Sequence, residues 1–160
     1  MPTVELLLSP RPHHVRTARL VGVAAARRAG LPDELVDELR WALGEACSRA
    51  VALHAAHAPD VPVRIVLRED TAGLTVEVID HGPQGLPPEG TDPEALFGSA
   101  VQGSGHNGFQ DGLQDDRADE GVDPRVSLAV LGGLVDDIDV TSTEAGTTVR
   151  LRWPLPVRTP

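Results

Sequence analysis

Two alternating runs stand side by side in the middle of the chain. Val61, Val63, Ile65 and Leu67 alternate with Pro62, Arg64, Val66 and Arg68; Leu74, Val76 and Val78 alternate with Thr75, Glu77 and Ile79. Asp70-Thr71-Ala72-Gly73 between them has turn chemistry, so the pair reads as a β-hairpin. A hairpin commits the chain to an antiparallel sheet with one apolar face to cover. The cover comes just before it. Leu35, Leu39, Ala42, Ala46, Ala50 and Leu53 recur at steps of three and four. They form one stripe on a helix that starts near Pro32, carries Asp33 and Glu34 in its first turn, and runs to about Ala56. Alanine at many of these positions allows close approach to a neighbour.

That neighbour is a helix from about His13 to Ala29, with a proline suited to its first turn, Arg27 and Arg28 in its last turn and Gly30 as its stop. A strand at Thr3 to Leu8 precedes it. Beyond the hairpin, a short helix from Val126 to about Val135 leads to a strand around Ile138 and Val140. A turn at Ser142 to Gly146 follows, then a last strand in which Val149, Leu151 and Trp153 alternate with Arg150 and Arg152. Helices and strands come in runs, and hairpins join the strands. The expected class is α+β, a two-layer sandwich with a mostly antiparallel sheet and helices on one face.

Length and charge narrow the options. With 160 residues, 41% apolar and 24% charged, the chain is expected to be one globular domain over 1–160. No apolar run is long enough for a membrane span, and Glu5 stands where a secretory signal would be basic. Cys47 is alone, so a cysteine-based zinc site is excluded, and the cytoplasm is the expected compartment. From Gly82 to Pro124, nine acids face only Arg117, which places eight of the ten excess negative charges in one aperiodic stretch. This segment, about 82–124, reads as a flexible acidic Gly-rich lid. It also holds both phenylalanines, Phe97 and Phe109. A net charge of −10 argues against nucleic acid as a partner.

Three short stretches carry possible chemistry: Gly44-Glu45-Ala46-Cys47-Ser48-Arg49, Asp80-His81-Gly82-Pro83-Gln84-Gly85, and Gly146-Thr147-Thr148-Val149. In order and spacing around the long loop they resemble the GHKL (Bergerat) ATPase fold. More narrowly, the chain resembles the bacterial anti-sigma factor serine kinases, switch proteins that hold a sigma factor and phosphorylate a STAS-domain antagonist. Leu134 to Val140 is also similar. The resemblance implies that Glu45 is the general base or polarises the nucleophile, that Asp80 receives the adenine amino group with Gly82 and Gly85 beside it, and that Thr147 supports Asp80. It also marks departures. The family's Mg²⁺-holding Asn is Arg49 here, and a Gly-x-Gly at the third helix is replaced by Arg125-Val126-Ser127. Arg offers only donors and a fixed charge. Arg49 is therefore expected to exclude Mg²⁺, either by pairing with phosphate oxygens in its place or by pairing with Glu45 at i, i+4.

The resemblance then implies a homodimeric switch protein that regulates transcription, bound to a sigma factor and/or a STAS-domain antagonist. ATP or ADP binding is expected to be weak or lost, with Glu45, Arg49, Asp80, Gly82, Gly85, Ser127 and Thr147 around the nucleotide position and no metal. One alternative is an active serine/threonine kinase on the antagonist; another is a catalytically dead scaffold. Other signals are read as structural. Gly103 to Gly108 fits G-x-G-x-x-G but follows no strand. His54 and His57 lack a third metal ligand, and Cys47 reads as a small packed side chain.

Overall fold

The computed structural model describes residues 2–82 and 131–155. The acidic segment with Phe97 and Phe109, and the candidate residues Gly85 and Ser127, lie outside the described residues.

Strand β1 (Thr3–Leu8) is followed by helix α1 (His14–Ala29), helix α2 (Asp33–His57), and the strands β2 (Val63–Glu69) and β3 (Gly73–Asp80). After the undescribed stretch come residues 131–134, which are helical, then β4 (Ile138–Thr143) and β5 (Gly146–Pro154). Among the described residues, five strands form one sheet in the order β1-β2-β3-β5-β4, and every adjacent pair is antiparallel. The expected α+β layout is the one found. Inserting β5 between β3 and β4 puts the last strand inside the sheet, where Trp153 becomes the largest fully buried side chain.

Local chemistry fixes the joints. Gly30 closes α1 at φ 87°, while its N–H reaches the Arg27 carbonyl at 3.1 Å and the Leu31 N–H reaches Ala26 at 3.0 Å. This is the Schellman arrangement, which needs a left-handed residue. In the β2–β3 turn, Asp70 Oδ1 accepts from the N–H groups of Ala72 (2.7 Å) and Gly73 (2.9 Å), so a side chain mimics a backbone turn.

The two helices pack through small residues. A Cβ on Gly22 would meet Leu43 at 2.4 Å, and one on Gly44 would meet the Arg19 guanidinium at the same distance. The single-stripe reading of α2 is too narrow. Leu35 and Leu53 are only half-buried, while Val36, Leu43, Cys47 and Val51 are buried. The helix is covered by α1 on one side and by the sheet on another, so its buried surface is wider than one stripe. Val61 is also exposed, and β2 begins two residues later than the alternation suggested.

The sheet's inner face is apolar: Val4, Leu6 and Leu8; Val63, Ile65 and Leu67; Leu74, Val76 and Val78; Val149, Leu151 and Trp153. Its outer face is charged. Glu5 accepts from Arg64 at 2.7 Å, and Glu77 lies between Arg68 (2.7 Å) and Arg150 (2.9 Å).

Candidate functional site

The site grows out of the inner face of the sheet by continuing its period of two. Leu74, Val76 and Val78 point inward from β3, and the next residue in that series is Asp80. Its ladder partner on β5 is Thr147, which is in turn paired with Ser142 on β4. The apolar face therefore ends in a polar row, Asp80–Thr147–Ser142. The Thr147 hydroxyl, buried, lies 3.2 Å from Ser142 Oγ, so its hydrogen bond goes along the row to Ser142. Thr147 neighbours Asp80 through strand pairing. Gly146, at φ 140°, opens β5 where a Cβ would lie 1.8 Å from the Asp80 carbonyl oxygen; no other residue fits that approach.

Helix α2 crosses over this row and supplies Arg49. The guanidinium Nη1 donates to Asp80 Oδ2 at 2.7 Å, with 4% and 1% of the two side chains exposed. The other carboxylate oxygen, Oδ1, accepts the Gly82 N–H at 3.0 Å. Gly82 is crowded: a Cβ there would sit 3.0 Å from Leu53 Cβ. Arg49 Nε is buried and has no hydrogen-bond partner among the described residues.

This corrects one of the two alternatives for Arg49, the pair with Glu45: the guanidinium pairs with Asp80 instead. Glu45, one turn earlier on α2 and half-buried, has no hydrogen bond or ion pair among the described residues. The physical reason is a difference in magnitude. An i, i+4 pair on a helix contributes about 0.3–0.5 kcal/mol. A carboxylate buried as deeply as Asp80 and left alone would cost about 3–5 kcal/mol. Arg49 goes to the group that needs it.

A second contact was not legible in the sequence. His54, fully buried near the end of α2, donates from Nδ1 to the Val61 carbonyl (2.7 Å) and accepts the His81 N–H at Nε2 (2.8 Å). These bonds assign one neutral tautomer. The His81 ring in turn donates from Nδ1 to the Ala145 carbonyl at 3.0 Å. The end of β3 is thus tied to α2 through His54 and to the β4–β5 turn through His81. His57 is exposed and takes no part. Cys47, two residues before Arg49, is buried, and burial pushes its thiol up to about 12, against a smaller lowering by the Arg19 charge.

Residues 8–153 match the family model of the histidine kinase-like ATPase domain. The chain belongs to that family. Among solved structures it is similar to the crystal structure of the RsbU and RsbW domains of Rv1364c from Mycobacterium tuberculosis. The TM-score is 0.60 at 15% identity, and the match covers 99% of this chain and 34% of that one. This chain thus spans about a third of that protein's length, and the likeness is one of fold. No curated protein matches the chain.

Proposed function

We propose that this histidine kinase-like ATPase domain is a regulatory switch of the anti-sigma kind, with nucleotide binding that is weak or lost. The observation that carries the reading is the buried Arg49–Asp80 pair. By family resemblance Asp80 is the carboxylate that receives an adenine amino group. Here Oδ2 already accepts from Arg49 and Oδ1 from Gly82. Adenine would have to replace the guanidinium of an ion pair in a dry site with a donor that carries no charge.

Mg²⁺ does not fit the donor set. A guanidinium has no lone pair for a hard cation and repels it. Among the described residues, no group of three or more His, Cys, Asp or Glu side chains is placed to hold a metal. Phosphoryl transfer relies on such an ion to offset the charge on the transferring group. The residues around Asp80 therefore disfavour chemistry on a nucleotide. The similarity in fold to a chain containing an RsbW domain supports the same reading.

The partners we propose are a sigma factor and a STAS-domain antagonist that competes for it, with the domain acting as a homodimer in the cytoplasm. No helix among the described residues is long and apolar enough to cross a membrane. Surface plasmon resonance with sigma factors and STAS proteins from the source genome tests the proposal, together with calorimetric titration of ATP and ADP with and without Mg²⁺. Saturable protein binding in the absence of nucleotide is expected. Tight, Mg²⁺-dependent ATP binding would overturn it.

One observation favours a second reading, an active kinase on the antagonist. Arg49 pairs with Asp80 and not with Glu45, so among the described residues no cation neutralises the candidate general base. Labelled ATP incubated with the chain and a STAS protein decides between the two: label on a serine of the STAS protein establishes the kinase, and its absence supports the switch.

A further inference from the structure

We infer that Arg49 is a built-in ligand of the Asp80 carboxylate, a specificity-determining residue that closes the base end of the site to adenine nucleotides. This rests on the assignment of Asp80 as the base-recognising group, and it names what keeps the nucleotide out.

Three features of the site lead to it. First, the carboxylate cannot turn away from its occupant. Gly82 N–H holds Oδ1 at 3.0 Å, His54 Nε2 accepts the His81 N–H at 2.8 Å, and the His81 ring is fixed to Ala145 at 3.0 Å. With the strand end pinned on three sides, whatever donates to Oδ2 fills a fixed position. Second, the guanidinium is held by the carboxylate and not by a pocket shaped to satisfy it. Its Nε is buried with no partner among the described residues, a condition native structures rarely tolerate at a site built for the group. Third, α2 lies close over the strand end. One turn beyond Arg49, Leu53 is packed against Gly82 so closely that a Cβ there would lie 3.0 Å away. A base could reach Oδ2 only if the side chain at position 49 were shorter.

The chemistry sets the direction of competition. An adenine amino group offers Oδ2 a neutral N–H. Arg49 offers a charged one from within the same chain, at 2.7 Å and without loss of translational freedom. The built-in donor therefore outcompetes the external one, and removing it leaves a pinned, buried acceptor with nothing to accept from.

The test compares the unsubstituted chain with Arg49→Asn and Arg49→Ala in calorimetric titrations with adenosine, ATP and purine riboside, which lacks the amino group. Folding of each variant is checked by far-UV circular dichroism. Both variants are expected to bind adenosine and ATP about tenfold or more tighter than the unsubstituted chain, as one hydrogen bond to a charged acceptor allows. Purine riboside is expected to show no gain, and adding Asp80→Asn to either variant should abolish it. A variant that is unfolded alone is titrated with adenosine, and recovery of its helical signal counts as binding. Affinities unchanged in both variants, or no recovery of an unfolded one, overturn the inference. Tight ATP binding by the unsubstituted chain is a different failure, because it removes the functional reading itself.

Discussion

The inner end of the sheet and its outer face make the same bond in opposite surroundings. Arg49–Asp80, Arg68–Glu77 and Arg64–Glu5 each bring a guanidinium nitrogen 2.7 Å from a carboxylate oxygen. The carboxylate side chains are 1%, 9% and 46% exposed in that order. Distance is constant along this series, so it cannot decide what each pair does. Water decides. At the edge of the outer face Glu5 and Arg64 keep much of their hydration and the pair adds little. Beneath α2 both ions have lost it, so each depends on the other and neither is available to a ligand. The comparison teaches that the pair at the site acts through occupation of Asp80 more than through net stability.

The largest effect should come from breaking the buried pair on one side. Arg49→Ala is expected to lower unfolding free energy by about 3–5 kcal/mol, because a lone carboxylate is left in a dry site. Replacing both ions, with Arg49→Met and Asp80→Leu together, should recover nearly all of that loss, less about 1 kcal/mol for the Gly82 N–H that no longer has an acceptor. Urea denaturation of the three chains checks this. A double variant as unstable as the single one would mean that the pair contributes net stability of its own.

Next in size is a buried thiol whose loss of water outweighs the pull of the nearby Arg19 charge. Cys47 shares α2 with Arg49, and burial raises its thiol from 9.0 to about 12. The sign follows from proton counting. Between those values the unfolded chain has lost a proton that the folded chain retains, so stability falls as pH rises, by up to about 1.4 kcal/mol per pH unit. Cys47→Ala should flatten the fall in melting temperature above pH 9. In the native chain at pH 8, a thiol-specific dye should react only as fast as the protein unfolds.

Much of this was written in the sequence, and the part that was not has a common cause. The alternation through Leu74, Val76 and Val78 carries directly to Asp80, and the alternation through Trp153, Leu151 and Val149 carries to Thr147. The polar row therefore follows from period alone. Gly30 and the Asp70 turn were legible for the same reason, since a few neighbouring residues determine them. Arg49 stood out as a departure from a family pattern. Its partner did not, because Asp80 lies 31 positions away and the local rule offered Glu45 instead. His54 read only as a structural residue without a third metal ligand, while its real bonds run to the segments before and after the hairpin. Contacts between distant segments come from the fold, and no local spacing encodes them.

Glu77 tests the middle of the series. It accepts from Arg68 and Arg150 together, yet both cations are about half exposed, at 51% and 53%. Glu77→Gln should therefore cost about 1–2 kcal/mol in urea denaturation, between the buried pair and a solvated one. A loss as large as that of Arg49→Ala would show that a shared carboxylate matters more than burial.

The smallest effect belongs to the edge of the outer face, and it tests the water argument most directly. The hydrogen bond from Arg64 holds the Glu5 carboxyl below its ordinary value. A depressed carboxylate contributes stability that is present above its unfolded value and lost as pH falls through its folded one. Both side chains keep nearly half of their surface in water, so this contribution should sit within the error of a denaturation midpoint, and Glu5→Gln should leave that midpoint where it was. The depression itself should still be visible to NMR titration at low ionic strength. It should shrink toward the ordinary carboxylate value in about 1 M salt, where the Debye length is about 3 Å. The Arg49–Asp80 pair, shielded by α2, should not respond to the same salt. If salt loosened both pairs equally, burial would not be what separates them.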